Sequence, residues 1–299
     1  MVKTEAGGAA TGPIVVREAP RTEHQAPPSP SSTRPFTIVT GGSRGIGFAL
    51  ARKFARKGNN IMLVARGATA LDEAARSLRG EFSVTVARLS LDVVRSDAAS
   101  VIENAVLAEG GHAEILINNA GLGYCGSFAD TKASQLDDLI ALNVAAPGRL
   151  MLGMLPGMRL RRSGGVVNVA SLGGFAPGPY QAAYYASKAY LISLSEAVAA
   201  EMRGHGVRVL VVAPGPVATG FHADMGAEGA WYRHILPQSS PEAIAGWAVM
   251  AYDLGLRVAV PGVLSNVGFA ALRYLPHAII VPLMAMLLHP RRASDKGTV

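Results

Sequence analysis

The fold of this 299-residue chain is decided by the stretch Phe36-Thr37-Ile38-Val39-Thr40-Gly41-Gly42-Ser43-Arg44-Gly45-Ile46-Gly47. Its first five residues read as a short apolar strand, and a periodic helix follows the glycines to about Lys57. A strand, a glycine turn and a helix in this order form a cradle for the phosphates of a dinucleotide. Gly41 permits the tight turn, Gly45 lets the backbone approach the pyrophosphate, and Gly47 lets the helix pack on the strand.

The next strand carries a clue to the type of dinucleotide. It is predicted over Ile61 to Arg66 and should end beside the adenosine ribose. An acidic residue there would bind the 2′-hydroxyl and favour NAD, but this chain has Arg66, with Arg44 in the glycine turn. Because a guanidinium binds phosphate with a planar fork, two of them favour the 2′-phosphate of NADP(H). The alternative is that both are solvated surface arginines.

Strands and helices alternate along the rest of the chain, which predicts an α/β fold. Further strands are predicted at residues 83–91, 114–118, 165–170, 207–212 and 257–260, and further helices at about 68–78, 96–110, 134–162, 181–203 and 240–254. The helix at 134–162 contains Pro147-Gly148 and Pro156-Gly157, which predict kinks or an early stop.

Polar residues and glycines follow the ends of these strands. Asp92 ends the third strand, where it could accept a hydrogen bond from an adenine amino group or cap a turn. Asn118-Asn119-Ala120-Gly121 at the end of the fourth strand suits a wall of the cofactor crevice. The fifth strand leads to Ser171, and the sixth leads to Ala213-Pro214-Gly215-Pro216-Val217-Ala218-Thr219.

A tyrosine and a lysine share one face of the helix predicted from Gln181 to Arg203. Tyr184 and Lys188 are four residues apart, about one helical turn. The unperturbed pKa of a phenol is about 10, and a lysine cation beside it is expected to lower that pKa. Such a tyrosine can protonate an alkoxide or deprotonate an alcohol. A chance pairing is the alternative, and Tyr185, three residues before Lys188, could face it as well.

The ordered set of motifs resembles the classical short-chain dehydrogenase/reductase family over roughly residues 36–262. The resemblance is carried by Thr40-Gly41-x-x-x-Gly45-Ile46-Gly47, Asn118-Asn119-Ala120-Gly121, Ser171, Tyr184-x-x-x-Lys188 and Pro214-Gly215, in the family's order. It implies a single Rossmann-type, doubly wound α/β domain with seven mainly parallel strands in the order 3-2-1-4-5-6-7. It also implies an NADP(H)-dependent oxidoreductase that interconverts a ketone or aldehyde and an alcohol.

The resemblance assigns roles to four residues. Ser171 would hydrogen-bond the substrate carbonyl oxygen, Tyr184 would donate the proton, and Lys188 would lower the tyrosine pKa and bind the nicotinamide ribose. Asn143 resembles the family's relay asparagine, which holds a water linking Lys188 to solvent; the alternative is an Asn that only caps a helix kink. The implied cofactor-binding residues are Gly41, Ser43, Arg44, Gly45, Ile46, Gly47, Arg66, Asp92, Asn119, Ala120, Gly121, Tyr184, Lys188, Pro214, Gly215, Val217 and Thr219.

Two other functions are compatible with this fold. One is a catalytically silent NADP-binding sensor or scaffold, which would be expected to have lost the serine, the tyrosine or the lysine, and this sequence has all three. The other keeps the fold but changes the chemistry, to an epimerase or a dehydratase. The family further suggests a homodimer or homotetramer.

Composition narrows the possible partners. The formal net charge is +7, but no dense Lys/Arg run interleaved with aromatics occurs, so nucleic acid is not expected. The single Cys125 excludes an internal disulfide and a Cys-based zinc site, and no histidine pair has metal-ligand spacing, so no metal is expected. Residues 1–35, rich in Pro and Ser, are predicted to be a disordered tail. The expected location is cytoplasmic.

Two segments beyond the motifs concern the substrate. Residues 216–240 combine glycines with apolar anchors, which predicts a mobile lid, or else an ordinary loop. Residues 263–299 form an apolar C-terminal extension, with runs at 263–275 and 278–288 that are too short to span a bilayer. The extension is expected to cover the substrate pocket or a subunit interface, or to lie peripherally on a membrane. An apolar flap beside the lid suggests a lipophilic substrate.

Overall fold

A computed structural model of the chain describes residues 33–227, 229, 230, 232 and 237–290. Seven parallel strands form one sheet in the order β3-β2-β1-β4-β5-β6-β7, which confirms the predicted fold. The strands are β1 Arg34–Thr40, β2 Asn60–Ala65, β3 Val86–Ser90, β4 Gly111–Asn118, β5 Gly164–Val169, β6 Val207–Val212 and β7 Val258–Ala259. The predicted disordered tail lies, except for residues 33–35, outside the described residues.

Helices cover both faces of the sheet. Within the described residues, the α-helices are α1 Gly45–Arg56, α2 Ala68–Glu81, α3 Ala98–Ala108, α4 Ala133–Ile140, α5 Ala146–Arg161, α6 Ala182–Glu201, α7 Phe221–Asp224, α8 Pro241–Asp253, α9 Val263–Tyr274 and α10 His277–Leu288. Consecutive strand residues point to opposite faces, so Val39 packs with α1, α2 and α8 while Ile38 packs with α3 and α5. This two-sided burial explains why the central strands are continuous apolar runs.

The helix predicted at 134–162 is one continuous element with a wider turn inside it. A π-helical segment, Ala141–Ala145, joins α4 to α5, and the Ala146 N–H bonds to the Ala141 carbonyl five residues back. The structure therefore has a π-helical turn where a proline kink or an early stop was predicted. The physical reason lies in the sequence: Pro147 has no N–H to give to the Asn143 carbonyl, so the α-helical ladder is interrupted there.

The run from Ala133 to Arg161 is long and apolar enough, by length and composition alone, to cross a membrane. Its place in the fold gives another reason for that composition. Leu150, Met154 and Met158 are buried in the core cluster that includes residues of β4 and β5. The helix is thus one layer of the α/β sandwich.

The C-terminal extension forms two short helices, α9 and α10, separated at Pro276. On α10, Ile280, Met284 and Leu288 lie four residues apart and are buried in a cluster that also contains Tyr184 and Met225. The extension therefore packs beside the predicted site, as one of the two sequence-based interpretations expected.

Candidate active site

The carboxyl ends of the strands open into one cavity of about 1260 Å³. Seventeen of the residues predicted from the sequence line it: Gly41, Ser43, Arg44, Gly45, Ile46, Arg66, Asp92, Asn119, Ala120, Gly121, Ser171, Tyr184, Lys188, Pro214, Gly215, Val217 and Thr219. Gly47 and Asn143 lie behind this lining. Parallel strands bring these distant segments together because all their carboxyl ends meet at one edge.

The glycine turn has the conformation that the motif predicts. Gly41 and Gly45 have φ of 63° and 58°, a left-handed region that favours glycine. A Cβ on Gly47 would clash with the Gly41 carbonyl oxygen, so only glycine lets the start of α1 pack against the turn. With the backbone open to the cavity at the N-terminus of α1, the turn fits a dinucleotide pyrophosphate.

Thr40 joins the glycine turn to strand β4. The sequence predicted this residue only as part of the glycine motif. The buried Thr40 hydroxyl donates to the Ile117 carbonyl at 3.1 Å and accepts from the N–H groups of Asn119 and Ala120 at 3.0 and 3.1 Å. The Asn119 amide donates in return to the carbonyls of Thr40 and Gly41 at 3.0 and 3.2 Å. The signal in the sequence is a hydroxyl at the end of a buried apolar strand.

The two predicted phosphate-binding arginines have different surroundings. Arg44 forms an ion pair with Asp224 of α7 at 2.5 Å, which joins the glycine turn to the segment predicted as a lid. Arg66 is exposed at the end of β2, and its guanidinium has no ion-pair partner within the described part of the chain. Asp92 accepts from the Val94 N–H at 3.2 Å, so it caps a turn while facing the cavity.

The three predicted catalytic side chains converge at the middle of the cavity. The Ser171 hydroxyl accepts from the Gly173 N–H at 3.1 Å, and its interaction with the Tyr184 phenol lowers the pKa of that phenol. Lys188 is buried, with its Nζ 3.0 Å from the Val169 carbonyl oxygen and 5.7 Å from the centre of the Tyr184 ring. A hydroxyl, a phenol and an amine therefore meet beside the glycine-lined end of the cavity.

Tyr184 and its neighbour Tyr185 have different surroundings in the structure. Both are buried on α6, with ring centres 6.1 Å apart. The ring of Tyr185 packs against Gly173 and Gly178 so closely that a Cβ at either glycine would clash with it. Ser171 affects the pKa of Tyr184 and not that of Tyr185, which indicates that the Tyr184 phenol is the one beside the serine.

The expected lowering of the Tyr184 pKa is wrong for this structure. Burial raises the pKa of Tyr184 to about 12, with the Ser171 hydrogen bond only partly opposing it. Burial likewise lowers the pKa of Lys188 to about 8. Helical spacing put the amine near the phenol, but loss of hydration disfavours the charged form of both groups, and this effect is the larger one.

Asn143 lies in the π-helical segment and is fully engaged. Its amide donates to the Leu122 carbonyl at 2.7 Å and to the Ser187 hydroxyl at 3.1 Å, and its Oδ1 accepts from the Leu122 N–H at 2.9 Å. A Cβ placed on Gly121 would lie 3.3 Å from Asn143 Oδ1 and 3.5 Å from Lys188 Nζ. The asparagine thus fixes the loop after β4 beside the lysine, and its role in a water relay stays a prediction.

The loop after β6 closes the cofactor side of the cavity. The Pro214 carbonyl accepts from the Leu172 N–H at 2.8 Å, which ties this loop to the serine loop. The Thr219 N–H donates to the Val217 carbonyl at 2.8 Å, and the Thr219 methyl lies 3.4 Å from where a Cβ on Gly45 would be. These contacts place the predicted residues of the loop opposite the glycine turn.

The other end of the cavity is mainly apolar, and the sequence did not predict which residues line it. Its lining there comprises Leu122, Tyr124, Gln181, Tyr185, Phe221, His222, Met225, Tyr232, Leu272, Leu283, Met284, Leu287 and Leu288. The Tyr232 hydroxyl lies 2.9 Å from His222 Nδ1. Part of the predicted lid, including Trp231, lies outside the described residues. Within the described ranges, no three His, Cys, Asp or Glu side chains cluster as metal ligands would.

Comparison with known proteins gives a consistent result. The family model described as short chain dehydrogenase matches residues 35–229. A short chain dehydrogenase of Pseudocercospora fijiensis is 37% identical over 183 residues, covering 60% of this chain and 59% of that protein. A very-long-chain 3-oxoacyl-CoA reductase of Pyrenophora tritici-repentis is 36% identical over 181 residues, covering 59% of this chain and 53% of that protein. The chain thus spans little more than half the length of these curated relatives.

Among solved structures, a short-chain dehydrogenase from Sphingobium yanoikuyae in complex with NADPH superposes with a TM-score of 0.72 and is 30% identical. The match covers 87% of this chain and 99% of that one. The matched motifs, the sheet order and the convergence of the serine, tyrosine and lysine agree with this likeness. The chain belongs to the short-chain dehydrogenase/reductase family.

Proposed function

We propose that the chain is an NADP(H)-dependent carbonyl reductase or alcohol dehydrogenase that acts on a lipophilic ketone, aldehyde or acyl substrate. The observation that carries the proposal is the meeting of Ser171, Tyr184 and Lys188 between a glycine-lined crevice and an apolar chamber. A silent sensor or scaffold has no need of this complete set.

The residues present fit a dinucleotide. The glycine turn would hold the pyrophosphate at the N-terminus of α1, and the loop at 214–219 would face the nicotinamide end. When bound, the nicotinamide supplies or accepts a hydride. The family relative bound to NADPH supports the phosphorylated form of the cofactor.

The side chains of the site supply the proton and hold the carbonyl. Ser171 would donate a hydrogen bond to the carbonyl oxygen, where negative charge develops during reduction. Tyr184 would donate its phenolic proton to that oxygen. Because burial keeps the Tyr184 pKa near 12, the phenol is protonated at neutral pH and ready to act as the acid.

The arginines support NADP(H) over NAD(H). Arg66 stands where an acidic residue would bind a ribose 2′-hydroxyl, and it has no competing carboxylate within the described residues. Arg44 already pairs with Asp224, so its fork would have to be shared or released to reach a 2′-phosphate. We therefore assign the larger part of the preference to Arg66.

The apolar chamber supports a lipophilic substrate. Its walls are mainly side chains of α6, α7, α9, α10 and the loop after β4, and most of them are apolar. A related protein carries the name very-long-chain 3-oxoacyl-CoA reductase, which agrees with an apolar chain beside the reacting carbonyl.

A panel of carbonyl substrates tests the proposal. Ketones and aldehydes of increasing chain length, and small sugars, would be incubated with NADPH or with NADH, and nucleotide oxidation followed by absorbance. We expect NADPH oxidation with hydrophobic ketones, and faster turnover with NADPH than with NADH. Activity on sugars with none on hydrophobic ketones would refute the proposal of a lipophilic substrate. Faster turnover with NADH would refute the assignment of Arg66 to the 2′-phosphate of NADP(H).

A further inference from the structure

Helix α10 is apolar on all sides, although only one side of it is buried. Between Ala278 and Leu288 it has no polar side chain. Ile280, Met284 and Leu288 face inward, whereas Ile279, Leu283 and Met286 remain 56%, 46% and 61% exposed. A helix that is hydrophobic all round is normally covered on all sides. We therefore expect the outward side of α10 to be covered by a binding partner.

The preceding helix and the connection to α10 also expose large apolar side chains. Val267 and Tyr274 of α9 and Leu275 in the connection are also exposed. We call the set Val267, Tyr274, Leu275, Ile279, Leu283 and Met286 the outer apolar face. Several large apolar side chains exposed on adjacent helices favour a contact site for protein or membrane.

This face borders the substrate chamber. Leu272 of α9 and Met284 and Leu287 of α10 line the cavity from the inside. Leu283 belongs to both sides, since it lines the cavity and is also 46% exposed. A single layer of apolar side chains thus separates the chamber from whatever lies against the outer apolar face.

The formal charges of this part of the chain are all positive. The sequence from residue 254 to residue 294 contains no Asp or Glu but has four arginines: Arg257, Arg273, Arg291 and Arg292. Arg273, on α9, is exposed beside the outer apolar face. Basic residues next to an apolar helix face favour an anionic lipid surface. In a two-fold contact between copies, by contrast, this face would bring like charges together.

We propose that the outer apolar face docks on an anionic membrane surface, with α10 lying in the interface and Arg273 toward the headgroups. Lipophilic substrate then enters the chamber from the lipid past Leu283. The docking stands on the surface alone, whereas the entry route also rests on the proposed function. The arrangement suits a ketone that is more concentrated in lipid than in water.

Vesicle co-sedimentation of the full chain tests the docking. The vesicles are phosphatidylcholine alone or with about 30% phosphatidylserine. We expect binding to the anionic vesicles, reduced about tenfold or more by the double substitution Ile279→Glu and Met286→Glu, since charge at an interfacial helix face opposes insertion. Arg273→Glu should weaken binding to anionic vesicles and leave the weaker binding to neutral ones unchanged.

The matched control places the same two charges on exposed apolar residues elsewhere, Leu107→Glu of α3 and Leu254→Glu after α8. This control should bind vesicles as the unsubstituted chain does. The proposal is overturned if the unsubstituted chain does not bind vesicles, or if the α10 double variant binds equally well. A second copy is the occupant instead if the α10 variant changes only the oligomeric state in sedimentation velocity.

A separate arm tests the entry route. Neither Ile279 nor Met286 lines the cavity, so the α10 double variant should reduce a small water-soluble ketone at the unsubstituted rate. Its rate with a long-chain ketone carried in anionic vesicles should fall in parallel with vesicle binding. Equal loss on both ketones would refute the route, because the substitution would then damage the site. No turnover of either ketone by the unsubstituted chain would refute the proposed function while leaving the vesicle result intact.

Discussion

At the scale of single residues, the site depends on what burial does to charge. Tyr184 and Lys188 are both buried, and each prefers its neutral form more strongly than in water. The sequence spacing predicted the pair and its common face correctly. The direction of the tyrosine pKa shift could not be predicted from spacing, because Tyr184 is buried in a cluster with Phe221, Met225 and residues of α10, which come much later in the chain.

The lysine makes stability depend on pH. The pKa of Lys188 is about 8 in the folded chain and 10.5 when unfolded, so between these values the unfolded chain binds more protons. Stability contributed by this group therefore rises with pH across that window. From pH 7 to pH 10, the free energy of unfolding should gain about 2 kcal/mol relative to Lys188→Met. Urea unfolding of both proteins at several pH values measures the difference, and parallel curves would contradict it.

Arg66 should control the choice of cofactor. Replacing it by Ala removes a charged hydrogen-bond donor from the ribose end of the crevice, so the Kd for NADPH should rise about tenfold or more. The Kd for NADH should change little. Isothermal titration with both nucleotides measures this, and the control is Arg203→Ala, an exposed arginine after α6 that does not line the cavity. Unchanged NADPH binding in Arg66→Ala would show that this arginine is a solvated surface residue.

At the scale of elements, the carboxyl ends of the strands were predicted more closely than most other boundaries. The predicted ends of β1, β4 and β6 coincide with the observed ones, since Thr40, Asn118 and Val212 precede glycine, asparagine or proline segments. The start of β4 at Gly111 was missed, because a glycine pair reads as a helix stop and only pairing with β1 extends the strand. The π turn was also missed, because the sequence shows that Pro147 breaks the ladder but not how the helix continues.

The glycine turn and α1 form one tightly packed unit. A Cβ on Gly47 would overlap the Gly41 carbonyl, which is backbone and cannot rotate away. Gly47→Ala should therefore cost about 1–3 kcal/mol or more of stability and weaken nucleotide binding. Gly80→Ala on α2 is the control, since nothing lies within 4 Å of its Cβ position, and it should be neutral or stabilising. Thermal unfolding of both variants measures the difference in stability. Equal melting temperatures would contradict the close packing of Gly47 against the Gly41 carbonyl.

At the scale of the whole molecule, the family resemblance carried by the motifs implied the sheet order, but it did not indicate what packs over the cavity. An apolar periodicity shows that a helix has a buried side, but it does not show which surface covers that side. The position of α9 and α10 against the substrate chamber therefore needed the structure. The same holds for the chamber residues such as Gln181 and Tyr232, whose neighbours come from remote segments.

The outward faces of α5 and α6 lead to a prediction about assembly. Leu152 and Leu160 are exposed on α5, and Tyr190 of α6 lies beside α5, its hydroxyl 3.6 Å from the Cβ position of Gly148. We expect this patch to be buried in a homodimer or within a homotetramer. Sedimentation velocity should show an oligomer, and Leu152→Glu with Leu160→Glu should shift it to smaller species. A monomeric unsubstituted chain would contradict the prediction.

The central claim is that Tyr184 is the proton donor of a carbonyl reductase, and a matched pair of phenol deletions tests it most directly. Steady-state reduction with NADPH would be measured for Tyr184→Phe and Tyr185→Phe, together with the Kd for NADPH. We predict that Tyr184→Phe lowers kcat about a hundredfold or more with NADPH binding largely unchanged, and that Tyr185→Phe loses far less. Full turnover by Tyr184→Phe, or a larger loss in Tyr185→Phe, would contradict the account.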